Sequence, residues 1–357
     1  MIVLYILLAI LVLLLMIMIH ETGHYLAGKI LKFKIEEFSI GFGPKIFSKK
    51  MKSGEVFSLR WIPLGGYCAF KGEDEDEDEL EDKTGTFNSY ACWKRLIVLF
   101  CGAFFNFVSG IFFVLILLCT VGSGICKVTD VVATNSNKDN IFKNDIILEV
   151  DGVEPTFLNG GLVGLMADKD VGEDIVLTVN RDGEIIDVTV QKYQVYQTDE
   201  NGDKVLDEDG NPIVQSKIIG ITSEYVKLSF GKGLLKCVPY TFKMAWQCLE
   251  IIGQLFTGQL GLESVGGPIT TVQTIAVSTQ SNMKNLVLLF PLLAVNLAVF
   301  NLLPIPALDG ARMVFVLIEW IFRKPVPRDI EAKIHSIGLL ALFALVIVVD
   351  LMHIFLF

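Results

Sequence analysis

Four stretches of this 357-residue chain are long and apolar enough to fill a lipid bilayer. Residues 2–19 hold 18 consecutive uncharged residues, 96–120 hold 25, 285–308 hold 24, and 336–357 hold 22 interrupted only by Asp350. A hydrocarbon core of about 30 Å takes about 20 apolar residues in a helix, the one single-segment structure that satisfies its own backbone there. The chain therefore reads as a polytopic α-helical membrane protein with four transmembrane helices. A net charge of -10 argues against a nucleic-acid partner, because phosphate binding needs clustered Lys and Arg. The seven cysteines, at 68, 92, 101, 119, 126, 237 and 248, include no C-x-x-C pair. That spacing excludes a disulfide framework and a thiolate zinc knuckle.

The first stretch has no basic n-region and no small-x-small cleavage site, and it runs into His20-Glu21, so it is expected to stay in the mature chain. Orientation follows from Lys and Arg in the short loops. Lys29, Lys32, Lys34, Lys45, Lys49, Lys50, Lys52 and Arg60 follow the first span, and Lys94 and Arg95 precede the second. Arg312, Arg323, Lys324, Arg328 and Lys333 separate the third and fourth. Both loops are expected in the cytoplasm and both termini outside it, in a bacterial cytoplasmic (inner) membrane.

Between the first two spans, Phe38, Ile40 and Phe42, then Phe57, Leu59 and Trp61, alternate around the basic turn Lys49-Lys50-Met51-Lys52-Ser53-Gly54. This predicts a membrane-associated β-hairpin. Residues 73–82 then place nine carboxylates in ten positions, the composition of a solvated linker. Outside the membrane, short strands are expected at 125–132, 145–152, 175–180 and 185–190, the last two joined by the turn Arg181-Asp182-Gly183-Glu184. The order strand, D-x-x-x-x-x-D-G, helix, hairpin resembles a PDZ domain, with Asn144 where that family usually has Gly. The acidic residues from Asp199 to Asp209 read as a polar hairpin, since Lys204 stands where a calcium loop needs Gly. Leu235, Val238, Phe242, Ala245, Trp246, Leu249, Ile252 and Phe256 recur at three and four, an amphipathic helix that could lie on the outer leaflet or pack on the spans.

The expected organisation is the first helix with a metal motif at 1–32, the hairpin at 33–72, an acidic cytoplasmic linker at 73–93 and the second helix at 94–122. An extracytoplasmic PDZ-like domain with its polar hairpin follows at 123–222, then an amphipathic helical region at 223–283. A broken third helix occupies 284–311, a cytoplasmic loop 312–334 and the fourth helix 335–357.

His20-Glu21-Thr22-Gly23-His24 puts two imidazoles at i and i+4 on one helix face, where both can ligate one zinc while Glu21 reaches its water. Ionisable groups inside a span are costly and usually functional. Catalytic zinc normally keeps three protein ligands and a water, so a third ligand is needed. His353 lies near the external end of the fourth span, and His335 sits at a helix boundary. Asp309 is the better candidate. Pro304 and Pro306 must break the third span, and broken backbone at membrane depth is tolerated where it lines a cavity. Taken alone, Asp309-Gly310 is an ordinary turn. Combined with a two-histidine site at the same cytoplasmic end, the ligand reading wins.

H-E-x-G-H closing the first span, with Asn301-x-x-Pro304-x-Pro306-x-Leu308-Asp309-Gly310 in a later one, is similar to the intramembrane site-2 metalloproteases. The PDZ-like domain points to their bacterial branch, the regulator of sigma-E protease type that cuts anti-sigma factors, here with room for a single PDZ domain. The resemblance implies Zn2+ as cofactor, His20, His24 and Asp309 as its ligands, and Glu21 as catalytic base. It assigns Asn296 and Asn301 to holding substrate, and Gly41-Phe42-Gly43 to a hairpin that pairs with an unwound substrate strand. The implied substrates are single-pass membrane proteins, anti-sigma factors or signal-peptide remnants, already trimmed by an upstream site-1 type protease. The outer domain would then act as a size filter.

Two rivals remain at this point. A zinc transporter would also bury His and Asp, but has no need of Glu21 between the ligands. A PDZ-bearing membrane scaffold with a degenerate metal site predicts that changing Glu21 alters nothing.

Overall fold

The computed structural model describes residues 2–73, 84–132, 137–197, 205, 212–261 and 265–355. The acidic run beyond Glu73 and most of the polar hairpin from Asp199 to Asp209 lie outside the described residues. The chain divides into two units, Met1–Leu115 with Lys236–Phe357, and Ile116–Leu235.

In the first unit, helix α1 (Ile2–Ile30) does not stop where its charge-free stretch ends but runs on through the His20 to His24 motif. No proline interrupts it. It closes at Lys32, which takes a left-handed conformation at φ 64°. Strands β1 (Ile35–Lys50) and β2 (Val56–Phe70) follow. They form more than a simple hairpin. Residues 37–40 pair on one side with 56–59 and on the other with 66–69, while 47–50 pair back to 56–59. Four strand segments thus lie side by side, with 66–70 at one edge. Folding β1 back on itself needs a sharp bend, and Gly41 and Gly43 supply it at φ 84° and 83°. A Cβ at Gly41 would press on the Ile62 carbonyl at 2.6 Å. Phe33, Phe70 and Phe87 pack with Ala27, Val98 and Val316, which anchors the ribbon to the helices.

Helix α2 (Cys92–Thr120) is the second long apolar helix. The second unit takes over at Ile116 and is an antiparallel sheet. Its strands are β3 (Cys126–Val131), β4 (Ile146–Val150), β5 (Asp174–Arg181) and β6 (Glu184–Gln191), with the short helix α3 (Gly161–Leu165) between β4 and β5. A two-stranded ribbon, β7 (Tyr193–Tyr196) with β8 (Val214–Ile218), leads to β9 (Ile221–Tyr225). The sheet order is β6-β5-β4-β3-β9. Strand β9 therefore carries this sheet past residue 222, where the outer domain was expected to end. Asp182 and Gly183 take φ of 52° and 97° at the β5 to β6 turn, the signature of a two-residue hairpin. Asn144 sits at φ 76°, a left-handed position that Asn tolerates better than other residues with a Cβ. Val128, Ile147, Ile175, Leu177 and Val179 form the centre of the core.

Helix α4 (Phe230–Phe256) re-enters the first unit. Cys237, Thr241, Met244 and Cys248 make a buried stripe, and Phe242 meets Phe107 of α2 edge-on at 5.0 Å between ring centres. Leu235, Trp246 and Phe256 stay exposed. The helix packs on a span and turns a second apolar face outward.

Helices α5 (Pro268–Ser281), α6 (Lys284–Leu302), α7 (Asp309–Phe322) and α8 (Arg328–Phe355) complete the unit. Helix α6 stops at Leu302, because Pro304 and Pro306 cannot continue it. The segment 312–334, expected as a loop, is helical as far as Phe322. Helices α1, α2, α6 and α8 are long and apolar enough to cross a membrane.

Candidate active site

His20 and His24 face the same way from α1, with their Nε2 atoms 3.1 Å apart and their rings edge to face. The third member arrives from the far end of the chain. Once α6 stops at Leu302, the segment 303–308 crosses as irregular chain with a turn closed by the Leu308 N–H on the Ile305 carbonyl, and Asp309 opens α7. Its Oδ2 lies 2.9 Å from His20 Nε2 and 3.2 Å from His24 Nε2. A tetrahedral zinc with bonds of about 2.0–2.1 Å sets its ligand atoms roughly 3.3 Å apart. The three observed separations fit that triangle. Two imidazoles and one carboxylate are also the donor set of catalytic rather than structural zinc.

Helix α2 forms the back wall. Val98, Gly102 and Asn106 recur every four residues and so share one face. The Val98 carbonyl accepts a hydrogen bond from His24 Nδ1 at 2.9 Å, which leaves the His24 Nε2 lone pair for a metal. A Cβ at Gly102 would collide with His24 Nε2 and His20 Cε1, and one at Gly23 would strike the Cys101 carbonyl. The two glycines let the helices approach backbone to backbone, and Gly102 keeps the space between the imidazoles open. Asn106 brings its amide within 3.3 Å of His20 Nδ1.

The triad sits between two cavities. The larger, about 890 Å³, is walled by Glu21, by the edge segment 66–70 of β2 and by α7 and α8. The smaller, about 260 Å³, is lined by Ile17, Leu297, Asn301 and the residues around Asp309. Glu21 borders both, and a Cβ at Gly66 would lie 3.5 Å from its Cγ, so the β2 edge passes directly beside it.

Phe42 lines the larger cavity and stacks on Tyr67 at 6.2 Å between ring centres, while Gly41 and Gly43 shape its strand without reaching the cavity wall. Asn301 lines the smaller cavity, with Nδ2 3.5 Å from His20 Nδ1. Asn296 does not join it. Five residues turn an α-helix by about 140°, and Asn296 is half-buried on another face of α6. His335 accepts a hydrogen bond from the Ala307 N–H at 3.1 Å, and His353 donates to the Val265 carbonyl at 2.8 Å, so neither enters the triad.

The profile of peptidase family M50 matches residues 8–345, from the first span through the triad and into the fourth. The chain belongs to peptidase family M50. M50 peptidases are zinc-dependent, so this chain is a zinc metalloprotease, and four of its helices are long and apolar enough to cross a membrane. Relatives named as zinc metalloproteases include one from Clostridium perfringens, 29% identical with 97% of each chain covered. Another, from Fusobacterium nucleatum, is 31% identical with 96% of each covered. A protein of Arabidopsis thaliana named as a chloroplastic membrane metalloprotease is 28% identical over 91% of this chain and 74% of its own.

The residues of α2 were missed by sequence reading. Asn106, the single carboxamide in residues 96–120, was counted merely as uncharged. A polar amide deep in a span with Gly four residues before it was the available signal, because buried amides need partners.

Proposed function

We propose that this M50 peptidase hydrolyses a peptide bond within a transmembrane helix of a single-pass membrane protein that an upstream protease has already trimmed, the two steps together constituting regulated intramembrane proteolysis. The observation that carries the reading is the placement of Glu21 beside the His20, His24 and Asp309 atoms, on a helix of membrane-crossing length and next to a strand edge.

In this reading His20, His24 and Asp309 hold the zinc. Bound there, zinc supplies Lewis acidity and makes a water acidic near neutral pH. Glu21 takes the proton from the attacking water and returns it to the leaving amine. A helical substrate has its carbonyls already hydrogen-bonded, so it must unwind before attack. The edge of β2 beside Glu21 offers replacement backbone bonds to an extended strand, each worth about 1 kcal/mol net. Asn301 adds an amide at the opposite cavity. Phe42 packs against the strand, with Gly41 and Gly43 allowing its bend. Asn296 belongs to the same substrate path only if the helix lies along that second face of α6.

The outer sheet is read as a single PDZ-like domain that admits trimmed substrates, with both chain termini outside the cytoplasm of a bacterial inner membrane. Anti-sigma factors and signal-peptide remnants fit the substrate class.

The test is cleavage of a model transmembrane helix by the purified full chain in lipid, against Glu21→Gln. The variant should keep its zinc and lose about 10²- to 10⁴-fold in rate. Unchanged cleavage by Glu21→Gln removes Glu21 from the mechanism, and cleavage confined to soluble peptides removes the intramembrane assignment.

A further inference from the structure

Asn106 shares the α2 face that meets the two imidazoles, and its hydrogen bonding is incomplete. It is fully buried, and its Oδ1 has no partner among the described residues. Its Nδ2 points at His20 Nδ1 from 3.3 Å, nearer than the Asn301 amide at 3.5 Å. The other imidazole shows what such a position is for. His24 Nδ1 donates to the Val98 carbonyl about two helical turns away on the same face of α2, and that bond fixes Nε2 as the lone-pair nitrogen.

A neutral imidazole carries one N–H. If His20 offers Nε2 to a metal, its proton sits on Nδ1, and an N–H buried in apolar surroundings needs an acceptor. The Asn106 oxygen is the buried acceptor without another commitment. With the amide nitrogen towards the ring, the opposite tautomer results: Asn106 donates to Nδ1, and His20 Nε2–H donates to Asp309 Oδ2 at 2.9 Å. That arrangement satisfies the ring without any metal.

We infer that Asn106 is a positioning residue for the metal centre, whose carboxamide turns over so that Oδ1 accepts from His20 Nδ1–H and holds the tautomer that presents Nε2 to zinc. One half-turn of the terminal torsion exchanges donor for acceptor, so a single carboxamide serves the metal-free and the metal-holding ring. A leucine of similar size serves neither, and an aspartate serves the second. The inference rests on the assignment of His20, His24 and Asp309 as the zinc ligands.

The experiment is a zinc competition titration against a chromophoric chelator on the full chain in detergent, with Asn106→Leu, Asn106→Asp and His20→Ala. Asn106→Leu should bind zinc about 10- to 100-fold more weakly, the usual cost of losing an outer hydrogen-bond partner of a ligating histidine. Asn106→Asp should recover most of that loss. Wild-type affinity in Asn106→Leu overturns the inference. So does an equal loss in both variants, which would mark Asn106 as packing or as a donor. Should Asn106→Leu not fold, Asn106→Asp decides alone: retained zinc supports the inference and a tenfold or greater loss rejects it. His20→Ala separates the two layers, since retained zinc there removes the ligand assignment itself. Zinc lost in His20→Ala but kept in Asn106→Leu removes only the role of Asn106.

Discussion

Two aspartates lie in the apolar part of the first unit, and they are treated in opposite ways. Asp350 of α8 is buried and accepts from the Ile269 N–H at 3.2 Å, the Thr270 N–H at 3.0 Å and the Thr270 hydroxyl at 2.8 Å. It caps the N-terminus of α5 from another helix, where free N–H groups and the helix dipole both favour a negative charge. Gly267 makes the approach possible, since a Cβ there would collide with the carboxylate. Asp309 meets no such set of neutral donors. It meets two imidazole nitrogens, which satisfy a carboxylate only when a proton or a metal lies between them. Backbone and hydroxyl donors hold one aspartate within the chain, whereas the other shares one oxygen with two imidazole nitrogens that a single cation can bridge, and that difference separates a clamp from a site.

The comparison breaks most readily at Asp309. Asp309→Asn should weaken zinc by more than an outer-partner change does, over about 100-fold, because a neutral amide oxygen replaces one of three ligands. Zinc content by metal analysis after dialysis checks it, and full occupancy would return Asp309 to an ordinary turn. Gly102→Ala should also deplete zinc without touching any proposed ligand, because its Cβ fills the space between the imidazoles. An alanine variant with normal zinc would show that α1 and α2 can slide apart at no cost.

Asp350→Asn should leave zinc unchanged and lower thermal stability, by about 1–2 kcal/mol for the weakened cap. A loss of zinc there would mean the two regions are one cooperative site. The smallest effect concerns Glu37 in β1. Burial disfavours its charge, but bonds from Ser58, Arg60, Lys45 and Tyr67 outweigh that and hold its pKa at about 2, below the ordinary 4.5. A depressed carboxylate contributes fully above its unfolded pKa and loses that contribution as pH falls through the folded one. Proteolysis of the ribbon should therefore rise between pH 4.5 and 2 in wild type. The rise should be blunted in Glu37→Gln, and identical acid profiles would rule the network out.

What could be read from the sequence depended on the range over which its physics acts. The meeting of His20 with His24 is a property of one helix, and the spans are properties of uninterrupted runs, so both were legible. The Asp182-Gly183 turn was legible because few residues accept its backbone angles. Helix α7 was not, because Arg312 near its start and Arg323 just past its end made the stretch look like a charged loop. Strand β9 was cut at residue 222 because its partner β3 lies some ninety residues earlier, and no local pattern announces such a pairing. Asp350 was noted only as an interruption, since the donors that explain it belong to α5. Asn106 was passed over for the same reason, its partner being on α1. Asn296 was grouped with Asn301 by the family resemblance, whereas helical geometry puts them on different faces.

The continuation of α1 past its charge-free stretch has a consequence for where fragments go. At 1.5 Å per residue His20 lies about 27 Å along the axis from Ile2, nearly the full thickness of a hydrocarbon core of about 30 Å. Under the proposed cleavage of a substrate helix lying alongside α1, a cut at that depth would divide the span very unevenly. One piece would keep nearly the whole apolar length and remain dissolved in lipid. The other would keep only a turn or so of it, too little to hold it against water, and would partition into the aqueous phase with whatever domain it carries.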